Sequence, residues 1–217
     1  MEFFRRALQP GDTAIEVGGH IGYISMWLAH LVGENGKVVV FEPGSNNLDY
    51  IRANVGDLAN VELIEKAVSN EEGVATFFEE ELTGQNNSLV EDYEWFEKNR
   101  ESANSDQNYR VCEVETTRLD GFVDENGLEP SLLKIDVEGA ELMVLEGARE
   151  TLTNHQPAVV IEVSNDKEEV CGLLEKMGYH LYNEYGRALS VARSFCNVFA
   201  LQPEKHADLI QFVAKKS

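Results

Sequence analysis

Residues 13 to 25, Thr-Ala-Ile-Glu-Val-Gly-Gly-His-Ile-Gly-Tyr-Ile-Ser, constrain the fold more than any other stretch of this 217-residue chain. An apolar run through Ala14, Ile15 and Val17 predicts a buried strand over roughly 12 to 17, ending at Gly18-Gly19. Gly22 follows, and Ile21, Ile24, Leu28 and Leu31 then recur at helical spacing, which predicts a helix over roughly 21 to 33. Strand, glycine-rich turn, helix is the unit from which an α/β domain builds a nucleotide-like site. Glycines let a ligand approach the backbone, and the helix N-terminus offers free N–H groups.

The glycine spacing selects among ligands. A dinucleotide fingerprint needs Gly-x-Gly-x-x-Gly to hold a pyrophosphate. Counted from Gly18, the second glycine falls on His20 and the third on Tyr23, so the fingerprint fails. What stands there is acid-x-Gly-x-x-x-Gly: Glu16, Gly18 and Gly22. That spacing resembles the first motif of class I S-adenosylmethionine (SAM) methyltransferases. Their ligand has no phosphate and carries a charged amino acid end that an acid can recognise. The plainer reading is a strand-to-helix turn whose glycines serve packing alone.

The rest of the chain continues the alternation. Residues 1 to 11 read as a lead-in ending at Pro10-Gly11. Lys37 to Glu42 read as a second strand, and a helix of roughly 46 to 55 follows with Ser45 as its N-cap. Val61 to Val68 read as a third strand. The pattern then breaks: Gly73 to Phe78 and Tyr109 to Thr116 read as strands flanking a polar, acidic stretch. Residues 79 to 110 are therefore an insertion or lid, in which Tyr93, Trp95 and Phe96 either cover a substrate or pin the loop to the body. Alternation resumes with a strand at 132 to 136, a helix at 140 to 153, a strand at 158 to 163 and an amphipathic helix at 166 to 177. Residues 178 to 182 and 197 to 201 form a final pair of strands. Such alternation implies one α/β domain over 1 to 217, with a mostly parallel sheet and helices on both faces.

In such a sheet, ligands sit at the carboxyl ends of the strands. Glu42 closes the second strand and can accept hydrogen bonds from ribose hydroxyls; an ordinary helix-capping acid is the alternative. Ala67-Val68-Ser69 would lie near an adenine ring by topology. Lys134-Ile135-Asp136-Val137-Glu138-Gly139-Ala140-Glu141 sets an acid at the tip of an apolar strand and another two residues on. Two carboxylates there can recognise an ammonium group, bind a divalent metal or take a proton from a hydroxyl. The plain alternative, helix N-terminal acids that suit the dipole, serves Glu138 and Glu141 better than Asp136. His20 lies inside the glycine turn and reads as a loop residue rather than a base.

Charge bounds the partners. A net charge of -21 repels phosphate backbones, and no dense Lys/Arg cluster offsets it, so nucleic acid is not an expected substrate. No run of about 18 apolar residues is present, so no membrane span is expected, nor is a secretory signal. Cys112, Cys171 and Cys196 are widely spaced; a reducing, cytoplasmic setting is expected and a structural zinc is not.

Taken together, Glu16 to Tyr23, Phe41-Glu42-Pro43, Thr117-Arg118-Leu119-Asp120, Lys134 to Glu141, Val144 to Ala148 and Ile161-Glu162-Val163 occur in an order that resembles the FkbM family of SAM-dependent methyltransferases. The similarity runs from about residue 12 to about 201. It implies a Rossmann-like, doubly wound seven-stranded sheet with its last strand antiparallel. It also implies methyl transfer from SAM to a hydroxyl of a sugar, glycan or secondary metabolite. On that reading Glu16, Gly18, Gly19, Gly22, Glu42, Ala67 and Asp136 hold the cofactor. Asp136 and Glu138 are the catalytic acids, with Glu162 a weaker candidate. A metal-assisted variant would use Asp136, Glu138 and Glu162 as ligands to a divalent ion. Two departures stand out: Glu16 and Gly18-Gly19 replace the family's usual Asp and Gly-Ala, and the chain begins close to the first strand. An incomplete lid, a partner subunit such as a second copy, or a fragment of a longer protein would each explain the second. The rival class is a catalytically silent SAM-fold scaffold.

Overall fold

The computed structural model describes residues 1–80, 83–90, 109–183, 185–189 and 197–215. Tyr93, Trp95 and Phe96 lie outside the described residues. Helix α1 (Glu2–Ala7) precedes β1 (Thr13–Val17), α2 (Tyr23–Val32), β2 (Lys37–Phe41), α3 (Ser45–Val55) and β3 (Val61–Ile64). Next come β4 (Ala67–Val68), β5 (Gly73–Glu80), β6 (Tyr109–Thr117), α4 (Leu119–Glu125) and β7 (Pro130–Ile135). Then follow α5 (Glu141–Gly147), α6 (Arg149–Asn154), β8 (Ala158–Glu162), α7 (Lys167–Lys176), β9 (His180–Asn183), β10 (Asn197–Leu201) and α8 (Ala207–Ala214).

Seven strands form one sheet in the order β3-β2-β1-β7-β8-β10-β9. β10 runs antiparallel to both its neighbours, and the other pairings are parallel. This is the Rossmann-like sheet expected from the sequence. Its central strands are apolar on both faces because helices cover both. Ile15, Val17, Val39, Leu133 and Ile161 pack with α4, α5, α6 and α7. Ala14, Val38, Val40, Leu132 and Val160 pack with α1, α2, α3 and α8. The chain order reverses about β1, so β1 and β7 diverge at the point where such sheets carry their ligands.

Several boundaries differ from the sequence reading, each for a local reason. Ser45 is the first residue of α3 and Gly44 is its cap; the Ser45 N–H donates to Glu79 Oε1 at 2.6 Å, so a remote side chain does the capping. The strand expected at 61–68 is two, because β4 leaves the main sheet to pair with β6 in a small sheet β4-β6-β5. The helix expected at 140–153 is also two. A Cβ at Gly147 would lie 2.1 Å from the Ser69 carbonyl oxygen, so the helix is pressed onto the backbone after β4 where it breaks. The lead-in holds a helix, α1, whose Phe3 and Phe4 are buried, and α8 follows the last strand. Neither was expected from hydrophobic periodicity. Among the described residues no helix is long and apolar enough to cross a membrane.

Candidate active site

A cavity of about 300 Å³ opens at the carboxyl ends of β1, β2 and β7. That is the lower end of the range for small-molecule sites. Val17, Gly18, Phe41, Glu42, Ala67, Val68, Asp136, Val137, Glu138 and Glu162 all line it. Strands β1, β2, β7 and β8 thus deliver to one place the ends that the sequence singled out.

The glycine turn works differently from a ligand cradle. A Cβ on Gly18, at φ +87°, would lie 1.8 Å from the Asp136 carbonyl oxygen. On Gly19 it would lie 2.4 Å from Val40 Cγ1, and on Gly22 it would meet Ile51 and Val55 at 3.0 Å. What the missing side chains make room for is the protein itself. Gly19 and Gly22 do not line the cavity; Gly18 does.

Glu42 is the best-defined wall. It is 4% exposed. Its Oε2 accepts from the His20 N–H at 2.7 Å; its Oε1 accepts from the Gly44 N–H at 2.8 Å and from Asn47 Nδ2 at 3.2 Å. A carboxylate has about four acceptor positions, so one remains on Oε2. Burial pushes the Glu42 carboxyl up to about 7, against the pull of these three donors. His20 therefore serves through its backbone, and its Nε2 lies 3.2 Å from the Thr83 carbonyl oxygen.

Glu16 lies elsewhere than expected. It is 1% exposed and does not line the cavity. Ser25 Oγ, in the first turn of α2, donates to Glu16 Oε2 at 2.6 Å, and Lys134 Nζ lies 3.2 Å from Oε1. Parallel pairing sets Glu16 directly opposite Lys134, so both project from the same sheet face. Lys134 Nζ also donates to Asp136 Oδ2 at 3.1 Å, and Asp136 does line the cavity. Burial alone would lower Lys134, but the charges of Glu16 and Asp136 outweigh it and hold the ammonium above its usual range.

Glu138 takes a left-handed conformation at φ +41°, uncommon for a residue with a Cβ, and Gly139 follows at φ +96°. Ser88 Oγ donates to the Glu138 carbonyl at 2.7 Å. That bond ties down the described part of the insertion, in which Gly84, Gln85, Asn86, Asn87 and Leu89 line the cavity. Asn47 Nδ2 donates to the Gly84 carbonyl at 3.0 Å, and Asn87 Nδ2 donates to Asn46 Oδ1 at 2.8 Å. Asn47, Lys134 and Ser25 were not assigned from the sequence, and the lid expected over residues 79 to 110 was assigned without naming these loop residues. Asn46-Asn47 directly after the Glu42 turn was the one local hint. The metal-assisted arrangement finds no support: among the described residues, no three His, Cys, Asp or Glu side chains are gathered to hold an ion.

The Methyltransferase FkbM domain family matches residues 16–213, nearly the whole chain. The chain belongs to this methyltransferase family. Methyltransferase 1 of Beauveria bassiana is 26% identical over 188 residues, covering 78% of this chain and 73% of that protein. The 2-O-methyltransferase NoeI of Sinorhizobium fredii is 32% identical over 130 residues, covering 54% of this chain and 49% of its own. The crystal structure of Methyltransferase FkbM from Methylobacillus flagellatus KT superposes with a TM-score of 0.56 at 15% identity, over 88% of this chain and 43% of that one. A precorrin-6y C5,15-methyltransferase from Geobacter metallireducens GS-15 gives 0.51 at 14% identity, over 92% and 84%. These two solved structures share the fold. The chain spans about half the length of NoeI and less than half that of the solved FkbM protein.

Glu42 has one acceptor position to spare, Phe41, Val68, Phe77 and Leu89 give apolar wall, and Asp136 and Glu138 supply negative charge at the other strand ends.

Proposed function

We propose that this chain transfers a methyl group from SAM to a hydroxyl oxygen of a sugar, glycan or other small metabolite. The observation that carries the reading is the gathering of Gly18, Glu42, Ala67, Asp136 and Glu138 around one cavity at the strand ends. The 2-O-methyltransferase name of the NoeI relative supports oxygen as the acceptor atom. Bound there, SAM supplies a methyl group already activated by its sulfonium. The protein then has mainly to position an acceptor and receive a proton. Glu42 accepts from a ribose hydroxyl, and Ala67 and Val68 pack against the adenine. Asp136, one oxygen held by Lys134, turns the other toward the ammonium of the amino acid end. Asp136 and Glu138 are the carboxylates in reach of an acceptor's hydroxyl proton. The charge of -21 disfavours a nucleic-acid acceptor, and the neutral amides of Gln85 and Asn86 on the cavity wall suit a hydroxylated one.

The test is calorimetry with SAM and S-adenosylhomocysteine, followed by methyl transfer to a panel of hydroxylated sugars and metabolites. Micromolar binding and transfer are expected. Glu138→Gln and Asp136→Asn each lower kcat, by about 10²- to 10⁴-fold for whichever carboxylate takes the proton. Failure of the wild-type chain to bind either compound would refute the reading and favour a silent scaffold.

A further inference from the structure

The acid of the glycine motif is spoken for inside the protein. Glu16 receives Ser25 Oγ on one oxygen and Lys134 on the other. Lys134 is in turn shared with Asp136. The side chains of Glu16 and Lys134 are 1% and 11% exposed, whereas that of Asp136 is 35% exposed. The four groups form a line, Ser25–Glu16–Lys134–Asp136, from the first turn of α2 to the cavity wall. One cation stands between two carboxyl groups in that line, and its most exposed member is Asp136.

We infer that Lys134 is a positioning residue for Asp136, and that Glu16 acts on the ligand's amino acid end through Lys134 rather than by touching it. The inference rests on the SAM reading above. An aspartate on a short side chain still rotates about two bonds. A buried ammonium 3.1 Å from Oδ2 fixes that rotation and leaves Oδ1 for the ligand. The same ammonium stands between the two carboxyl groups and offsets part of the cost of burying Glu16, whose carboxyl burial still holds above its ordinary range. Glu16 fixes Lys134 against the register-paired strand, and Ser25 fixes Glu16.

Two probes separate this from a general structural role. S-adenosylhomocysteine carries the amino acid end; 5′-methylthioadenosine has the same adenosine without it. Lys134→Met is expected to weaken S-adenosylhomocysteine about tenfold or more, the scale of one charge-assisted contact, and to leave 5′-methylthioadenosine unchanged. Lys134→Met leaves Glu16 buried without its cation, so the double variant Glu16→Gln/Lys134→Met, which removes both charges, is measured alongside. If Glu16 acts through Lys134, adding Glu16→Gln to Lys134→Met changes the binding no further.

Three results would overturn the inference alone. One is equal weakening of both probes. Another is unchanged binding of S-adenosylhomocysteine in both variants. The third is tighter binding in Lys134→Met, as expected if a freed Glu16 meets the ammonium itself. Absence of binding of either probe by the wild-type chain would overturn the SAM reading, and this inference with it.

Discussion

Glu42 offers a quantitative test because its proton and its ligand compete for one position. Oε1 already accepts from Gly44 and Asn47, so a proton on the carboxyl must sit on Oε2. Oε2 accepts from His20, which leaves a single acceptor position there. A ribose hydroxyl that donates to Glu42 needs that same position. Protonation therefore blocks the ligand, and the ionised form binds. With the carboxyl held at about 7, roughly 9% is ionised at pH 6 and roughly 91% at pH 8. Affinity should rise about tenfold between those values, with its midpoint near pH 7.

The assay is calorimetric titration with 5′-methylthioadenosine, which lacks the amino acid end and has no group that titrates between pH 6 and 8. Glu42→Gln should bind about tenfold more weakly at pH 8 and show no change with pH, because the amide neither ionises nor offers a second acceptor oxygen. A wild-type affinity that is flat from pH 6 to 8 would refute the argument. So would the same slope in wild type and Glu42→Gln, which would place the titrating group elsewhere.

The same shift bears on stability with the opposite slope. The folded carboxyl is held at about 7 against an ordinary 4.5, so its proton stabilises the fold fully below pH 4.5. That contribution, about 3 kcal/mol, is lost as pH rises through 7. The stability of wild type minus that of Glu42→Gln, from urea unfolding, should therefore fall by about this much from pH 4.5 to 8; a constant difference would contradict it. Gly18→Ala should cost about 4 kcal/mol in unfolding experiments, from overpacking and a left-handed backbone together. Gly127→Ala, at φ +58° with nothing within 4 Å of its Cβ, should cost only about 1 kcal/mol. Asn87→Ala removes the bond to Asn46 and the acceptor for the Glu80 N–H at 2.8 Å. Amide exchange should speed up across residues 83–90 and stay unchanged in β1 and β7; uniform exchange would show that Asn87 does not hold the loop.

The parts of this molecule that were legible in the sequence are those governed by short-range pattern. Apolar strands and the acids at their tips announce themselves, so Glu42, Asp136 and Glu138 were correctly expected at strand ends, and the cavity lies there. What the sequence hid depends on which residues lie opposite each other across the sheet. Glu16 pairs with Lys134 through β1–β7 register, and nothing near either residue says so. The early departure of β4 from the main sheet is equally non-local, since β6, the strand that receives it, lies beyond the insertion. The turn around Ser45 misled for a related reason: a serine before a helix suggests its own cap, yet Glu79 from β5 supplies the acceptor.

The glycine motif shows how one sequence pattern can serve a cause other than the one first read into it. The sequence offered two causes, glycines that open the backbone to a ligand and glycines that serve packing alone. In the structure, Gly18 lets the end of β1 cross the Asp136 carbonyl, and Gly19 and Gly22 let α3 close on the turn through Ile51 and Val55. These contacts still build the site, because they set where the strand ends lie. The Asp136 N–H donates to the Val17 carbonyl at 2.9 Å, and the N–H groups of Gly18 and Gly19 donate to the Phe41 carbonyl at 3.0 and 3.1 Å. The turn thus ties β7 on one side and β2 on the other, the two strands that carry Asp136 and Glu42. A side chain at Gly18 would force the Asp136 backbone away and, with it, the carboxylate that Lys134 holds. Loss of ligand binding in a Gly18 variant would then reflect displacement of Asp136 and not loss of a direct contact. Weakening confined to S-adenosylhomocysteine, with 5′-methylthioadenosine unchanged, would distinguish the first cause from the second.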